Sequence, residues 1–376
     1  MSQKNLRFAV VQDDRQPMRD RLAAEISECC QRHGHRLARP EESVQFVINL
    51  TSTEKPQFFR RRAQSIFVFS LVTVEKPPVD AAALRKLCYT TLVLTLSNML
   101  LCVIPRDAAL PFAVEGNQEI YLTTPEGGFY HYPFLAERVY DSFIPIAGAH
   151  YAIGNVFSSD LPPAYWHVSP VLKKMIEYSG ELGRLGVLPA PFPLSEVLSP
   201  EQIQHLYSLF EMKGLSSGNL SARESIPELG ETTFWMTARG VDKARIGTVG
   251  RDVLLITGFD HEHGQAWVSV PPEYDPQARV SVDAVEHEMI YRRFPQVAAI
   301  VHVHAWMDGV MCTRQNFPCG TRDLAEDVCA LLERTENPSR AAVGLKNHGL
   351  TITGPDLGDI FERLQGKLLI EVPMFA

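Results

Sequence analysis

Two hydrophobic rhythms alternate along the first half of the chain. Short β-rich runs, "RFAVVQ", "VQFVINL" and "SIFVFSLV", lie between stretches whose apolar residues recur every three or four positions. Met18 to His33 and Asp80 to Met99 read as helices, and "LLCVIP" and "EIYLTT" read as further strands. Alternation of this kind predicts a mostly parallel sheet covered by helices, an α/β class. The longest apolar stretch, Leu87 to Pro105, is interrupted by threonines, a serine and an asparagine. It predicts a buried helix running into a strand, not a membrane span.

The rhythm breaks at "LGVLPAPFPLSEVLSP", Leu185 to Pro200, a proline-rich stretch that suits an extended linker. This divides the chain into domains 1–190 and 191–376. After the break, "SPEQIQHLYSLFEMKG" predicts a helix ending at Gly214, and a second α/β pattern follows.

Composition narrows the partners. The net charge is −8 and no dense Lys/Arg stripe exists, so a nucleic-acid footprint is absent. The start, "MSQKNLRFAVVQDD", has no apolar signal core. Seven cysteines without a CxxC pair fit reduced thiols and a cytoplasmic location better than a disulfide framework.

Candidate chemistry lies in the second half. In "IVHVHAW", Ile300 to Trp306, strand alternation puts His302 and His304 on one face and Val301 and Val303 on the other. Two such imidazoles can converge on one metal ion, or they can be core histidines bonded to backbone. Spacing alone leaves both readings open. A third histidine, His348, precedes Gly349 in "VGLKNHGLTITG". Three histidines with an open position are the usual composition of a catalytic zinc site. "GLSSGNLSAR" offers backbone N–H groups and hydroxyls to an anion. In "ARVSVDAVEHEMIYRRFP", Ser281 can cap a helix starting near Val282, which sets Asp283 and His287 four apart on one face.

With "SSGNLSAR", "FWMTARGVDKARIG", "DAVEHEMIYRRFPQVAAIVHVHA" and "NHGLTITGPDLGDIFERL" in that order, the segment from about 194 to the end resembles the class II aldolase/adducin family. The resemblance implies an α/β/α sandwich with a central antiparallel sheet. It implies zinc or another divalent metal on His302, His304 and His348. It places Asp283 where the family's carboxylate contacts the metal or moves protons. Ser217, Gly218 and Asn219, with Gly240 and Ser281, would line an anion pocket, in which Arg239 replaces a small hydroxyl residue. Asp323 in "CGTRDLAEDV" stands where relatives place further catalytic groups. The implied activity is a lyase or isomerase of carbohydrate metabolism working through an enediolate on a small anionic sugar-like or hydroxy-keto substrate. A homo-oligomer, a tetramer by resemblance, is expected. The alternative is an adducin-like scaffold that keeps the fold without the chemistry.

Overall fold

The computed structural model describes residues 5–12, 14–62, 66–112, 114–124, 129–186, 199–201, 203–204 and 218–373. The chain forms two compact units, which divide between Gly148 and Ala149.

The first unit holds seven strands: β1 (Arg7–Gln12), β2 (Arg36–Leu37), β3 (Phe46–Leu50), β4 (Phe67–Thr73), β5 (Met99–Pro105), β6 (Gln118–Thr123) and β7 (Phe129–Pro133). Their order is β2-β1-β3-β4-β5-β6-β7. The first five are mutually parallel, and β6 and β7 add antiparallel. Every residue of β3 and β4 is buried, as strands covered on both faces require. Helix α1 (Pro17–Arg32) starts with proline in its first turn, where a missing N–H costs nothing. It packs with α3 (Ala136–Ala147) over a core that includes Leu22, Ile26, Phe69 and Phe143. Between them in sequence, α2 (Ala81–Leu94) is capped by the Asp80 side chain, which accepts from the Ala83 N–H. The long apolar stretch thus splits as expected: α2 ends at Leu94 and β5 begins at Met99. Among the described residues, no helix is long and apolar enough to cross a membrane. All seven cysteines are free.

The second unit is built on nine strands: β8 (Gly154–Ser158), β9 (Asn219–Arg223), β10 (Phe234–Thr237), β11 (Val253–Asp260), β12 (Gln265–Ser269), β13 (Ala299–Val303), β14 (Met311–Cys312), β15 (Ala342–Leu345) and β16 (Gly349–Gly354). The order is β14-β15-β16-β13-β9-β10-β11-β12-β8. From β15 to β12 all pairs are antiparallel, and the two outermost pairs are parallel. The sheet has a separate core on each face. One contains Ile300 with residues of α5 (Ala284–Arg293) and α6 (Arg322–Leu332). The other contains Val301 and Val303 with residues of α4 (Pro170–Arg184) and α7 (Leu357–Leu364). This is the expected α/β/α sandwich with a central antiparallel sheet.

The boundary differs from the sequence reading. β8 pairs in parallel with β12, and α4 supplies Leu172, Met175 and Leu182 to the second core. Both elements precede the proline-rich stretch, so the second unit starts some forty residues earlier than residue 191. Residues 187–198 of that stretch, and most of the helix expected after it, lie outside the described residues.

Candidate metal centre

β13 runs through the middle of the second sheet, and its register arranges the site. His302 stands opposite Asn219 of β9 and Thr351 of β16. Directly opposed residues in antiparallel strands share a face, so the three form a polar row on the α5 side. One row further along, Ile300 is opposite Ser221 and Thr353. α5 lies across these rows. At positions i, i+3 and i+4 it presents Asp283, Glu286 and His287, and each takes a polar partner from the sheet. Asn219 Nδ2 donates to Asp283 Oδ2 at 2.5 Å. Thr351 Oγ1 donates to Glu286 Oε1 at 2.6 Å. Ser221 Oγ lies 2.7 Å from both His287 Nδ1 and the Tyr291 hydroxyl.

The histidines meet at the end of this row. His302 Nδ1 is 3.0 Å from the Leu350 carbonyl, a bond in which only the imidazole can donate. That fixes the tautomer and leaves the Nε2 lone pair facing inward. His302 Nε2 is 3.2 Å from His348 Nε2. Nitrogens at about 2.0–2.1 Å from one tetrahedral zinc stand roughly 3.3 Å apart, so the pair is already at ligand spacing. The His304 ring centroid is 4.5 Å from that of His348 and 5.2 Å from that of His302. Burial pushes the pKa of His348 down to about 3, helped by His302. Burial, then His348 and His302, drives His304 well below the usual histidine range. Neutral imidazoles are the form a metal needs.

The carboxylates beside them diverge. Burial works to raise the pKa of Asp283. The neighbouring His302, a hydrogen bond from the Cys319 thiol, His287 and Asn219 outweigh it and hold the group below the usual range. Its Oδ1 is buried with no hydrogen-bond partner. Glu286 goes the other way: burial and the charge of Asp283 push it up to about 8, against the Thr351 hydrogen bond. Burial depresses His287 to about 3.

Backbone geometry holds His348 in place. Asn347 adopts a left-handed conformation, φ 58°, which asparagine tolerates better than most residues. Gly349 lies against β13: a Cβ there would sit 2.1 Å from the Val303 carbonyl oxygen. Gly349→Ala must therefore move backbone. It is expected to cost about 1–3 kcal/mol, as overpacking does, read by urea unfolding, and to weaken metal retention. Gly180→Ala in α4, where an added Cβ meets nothing within 4 Å, is the matched control and should be neutral or stabilising. Equal stability of the two variants would contradict this account of the turn.

Other expected site residues are distributed differently. Ser281 does not cap α5; the helix begins at Ala284 with no side-chain cap. Instead Ser281 Oγ accepts from Asn219 Nδ2 at 3.1 Å, joining the Asp283 network. Gly218 and Gly240 are turn glycines with positive φ, and Ser217 lies outside the described residues. Asp323 sits in the first turn of α6, where its Oδ2 accepts the His150 N–H at 2.7 Å. The same loop contributes Cys319 to the histidines instead, with Sγ 3.2 Å from His348 Nε2. Two residues near the site had no sequence signal. Neither Cys319 nor Lys243 stands in a pattern that singles it out in the sequence. Lys243 is buried. Burial lowers it to about 8, with Asp283 opposing that shift and Arg239 adding to it.

Comparison with known proteins finds one family match, within this unit. Residues 201–316 match the class II aldolase and adducin N-terminal domain. The match takes in Asp283, His302 and His304 and ends before Cys319 and His348. No curated protein matches the chain. Three solved structures are similar to the chain at low identity. YgbL from Klebsiella pneumoniae, a candidate aldolase/epimerase/decarboxylase, is 16% identical over 52% of this chain and 83% of its own, with a TM-score of 0.33. The Escherichia coli YgbL is 15% identical over 51% and 82%, with a TM-score of 0.32. An aldolase II superfamily protein from Pseudomonas syringae is 16% identical over 52% and 72%, with a TM-score of 0.31. The family match thus falls within the second unit, and the first unit has none.

Proposed function

We propose that the aldolase-type unit is a metal-dependent lyase or isomerase, with a divalent metal such as zinc on His302, His304 and His348. The observation that carries this reading is the 3.2 Å approach of two inward-facing Nε2 atoms with a third imidazole beside them. A scaffold protein of the adducin type has no use for such a group. When bound, the metal supplies a Lewis acid for negative charge developing on a substrate oxygen. Asp283 is the ionised carboxylate within reach of that centre. It takes a proton from a substrate carbon or hydroxyl and returns it. Glu286, protonated near neutral pH, limits the negative charge behind it.

The substrate is read as small and anionic. The amide N–H groups of Asn219 go to Ser281 and Asp283, while the Ser281 hydroxyl can still donate; the positive charge for the substrate comes from Arg239 with Lys243. A homo-oligomer remains part of the proposal. The test is a screen of ketose phosphates, hydroxy-keto acids and neutral analogues with the metal removed and restored. Turnover should require the metal. Arg239→Ala should raise KM for an anionic substrate by roughly 10–100-fold, the loss of one charge-assisted bond of about 1.5–3 kcal/mol, and leave a neutral analogue unaffected. Metal-independent turnover would overturn the reading of the centre. Equal effects on both substrates would overturn the role of Arg239.

A further inference from the structure

We propose that Cys319 is a thiolate ligand of this centre, making it a mixed imidazole–thiolate site. The inference rests on the metal reading above. His302, His348 and Cys319 each offer one donor atom, and the three atoms lie within 4.8 Å of one another. Cys319 Sγ is 3.2 Å from His348 Nε2. Zinc–sulfur bonds of about 2.3 Å and zinc–nitrogen bonds of about 2.0–2.1 Å imply a separation of roughly 3.5 Å, a few tenths away. An independent observation points to the same spot. Asp283 is almost fully buried, its Oδ1 has no hydrogen-bond partner within normal distance, and its carboxylate takes the hydrogen bond of the Cys319 thiol, a proton that metal binding would release.

The cysteine is held there by its loop. Gly320 has φ 81°, and a Cβ on it would lie 2.6 Å from the Ile153 side chain and 3.2 Å from Val282. Only glycine lets the chain press against the residue before Asp283. The Gly320 carbonyl accepts the Ala152 N–H at 2.7 Å. Thr321 Oγ1 then caps α6 by accepting the Leu324 N–H. Fixed on both sides, the thiol is built into the site.

Binding costs the thiol its proton, which leaves to solvent as the sulfur–metal bond forms. A thiolate shifts preference toward zinc and cobalt and away from magnesium and calcium.

The full chain, stripped with a chelator and titrated with Co²⁺, provides the test. The expected result is a near-ultraviolet thiolate-to-cobalt charge-transfer band that disappears in Cys319→Ser. Zinc affinity in that variant should fall at least 10–100-fold, about the loss seen for supporting groups, with circular dichroism unchanged. Cobalt binding without the band in the unaltered chain overturns the inference and leaves the three-histidine reading intact. No cobalt binding at all overturns both. Cys29→Ser should keep the band, which separates this centre from the other possible group, Cys29, His33 and Glu137; a band lost in Cys29→Ser but kept in Cys319→Ser overturns the inference.

Discussion

His302→Ala is expected to yield a folded protein that retains no divalent metal after dialysis and has no turnover. His302 occupies the central strand, and its Nδ1 is spent on the Leu350 carbonyl. The substitution therefore removes a ligand already oriented, not one that must search for its position. The cost is larger than for a supporting group, whose loss weakens metal affinity by roughly 10–100-fold. The fold should survive. Ile300, Val301 and Val303 of the same strand are fully buried in the two cores, and the deleted ring makes polar contacts. Metal per chain by atomic emission, with urea unfolding alongside, checks both halves of the expectation. Full metal occupancy in the variant would refute the ligand assignment.

Asp283→Asn should keep the fold and the metal and lower turnover by about 10²–10⁴, the usual contribution of a positioned acid–base group. The amide is almost isosteric, and its oxygen can still accept from Asn219. Lost are the negative charge and the ability to carry a proton. A second readout separates this from a structural effect. The Asp283 charge helps raise the pKa of Glu286 to about 8. Neutralising it should let that carboxyl titrate lower, so any pH dependence due to Glu286 should move to lower pH. An unchanged rate on the true substrate, measured with metal loaded, would reduce Asp283 to a residue that only orders α5.

The α/β/α sandwich and the strand that carries His302 and leads into His304 were readable from the chain. His302 and His304 stood out because period-2 alternation inside an apolar run leaves little doubt about which face they share. His348 stood out as a third histidine, just before Gly349 and beside the predicted strand "LTIT". Cross-strand register is not written in any single segment. Nothing in "SSGNLSAR" says that Asn219 will face His302, or that its amide will go to Asp283 instead of an anion. Ser281 failed for a related reason: the hydroxyl suits a cap, but a tertiary partner outbid the local one. Cys319 was hidden by distance in sequence, since its loop reaches the histidines only after α6 and β15 are placed. The domain boundary was misjudged because β8 is a short, partly exposed edge strand. It lacks the dense apolar run that marks a central one.

That edge strand decides where the two units can be parted. A chain cut at residue 191 would lose β8 and α4 together. β12 would then present an unpaired backbone ladder, and the face built around Trp235 and Leu255 would lose the cover of Leu172, Met175 and Leu182. Open ladders recruit strands from other molecules, so such a fragment is prone to aggregate even though it keeps His302, His304 and His348. A cut that leaves the second unit whole falls at the junction near Gly148, which is where a fusion or domain exchange should be made.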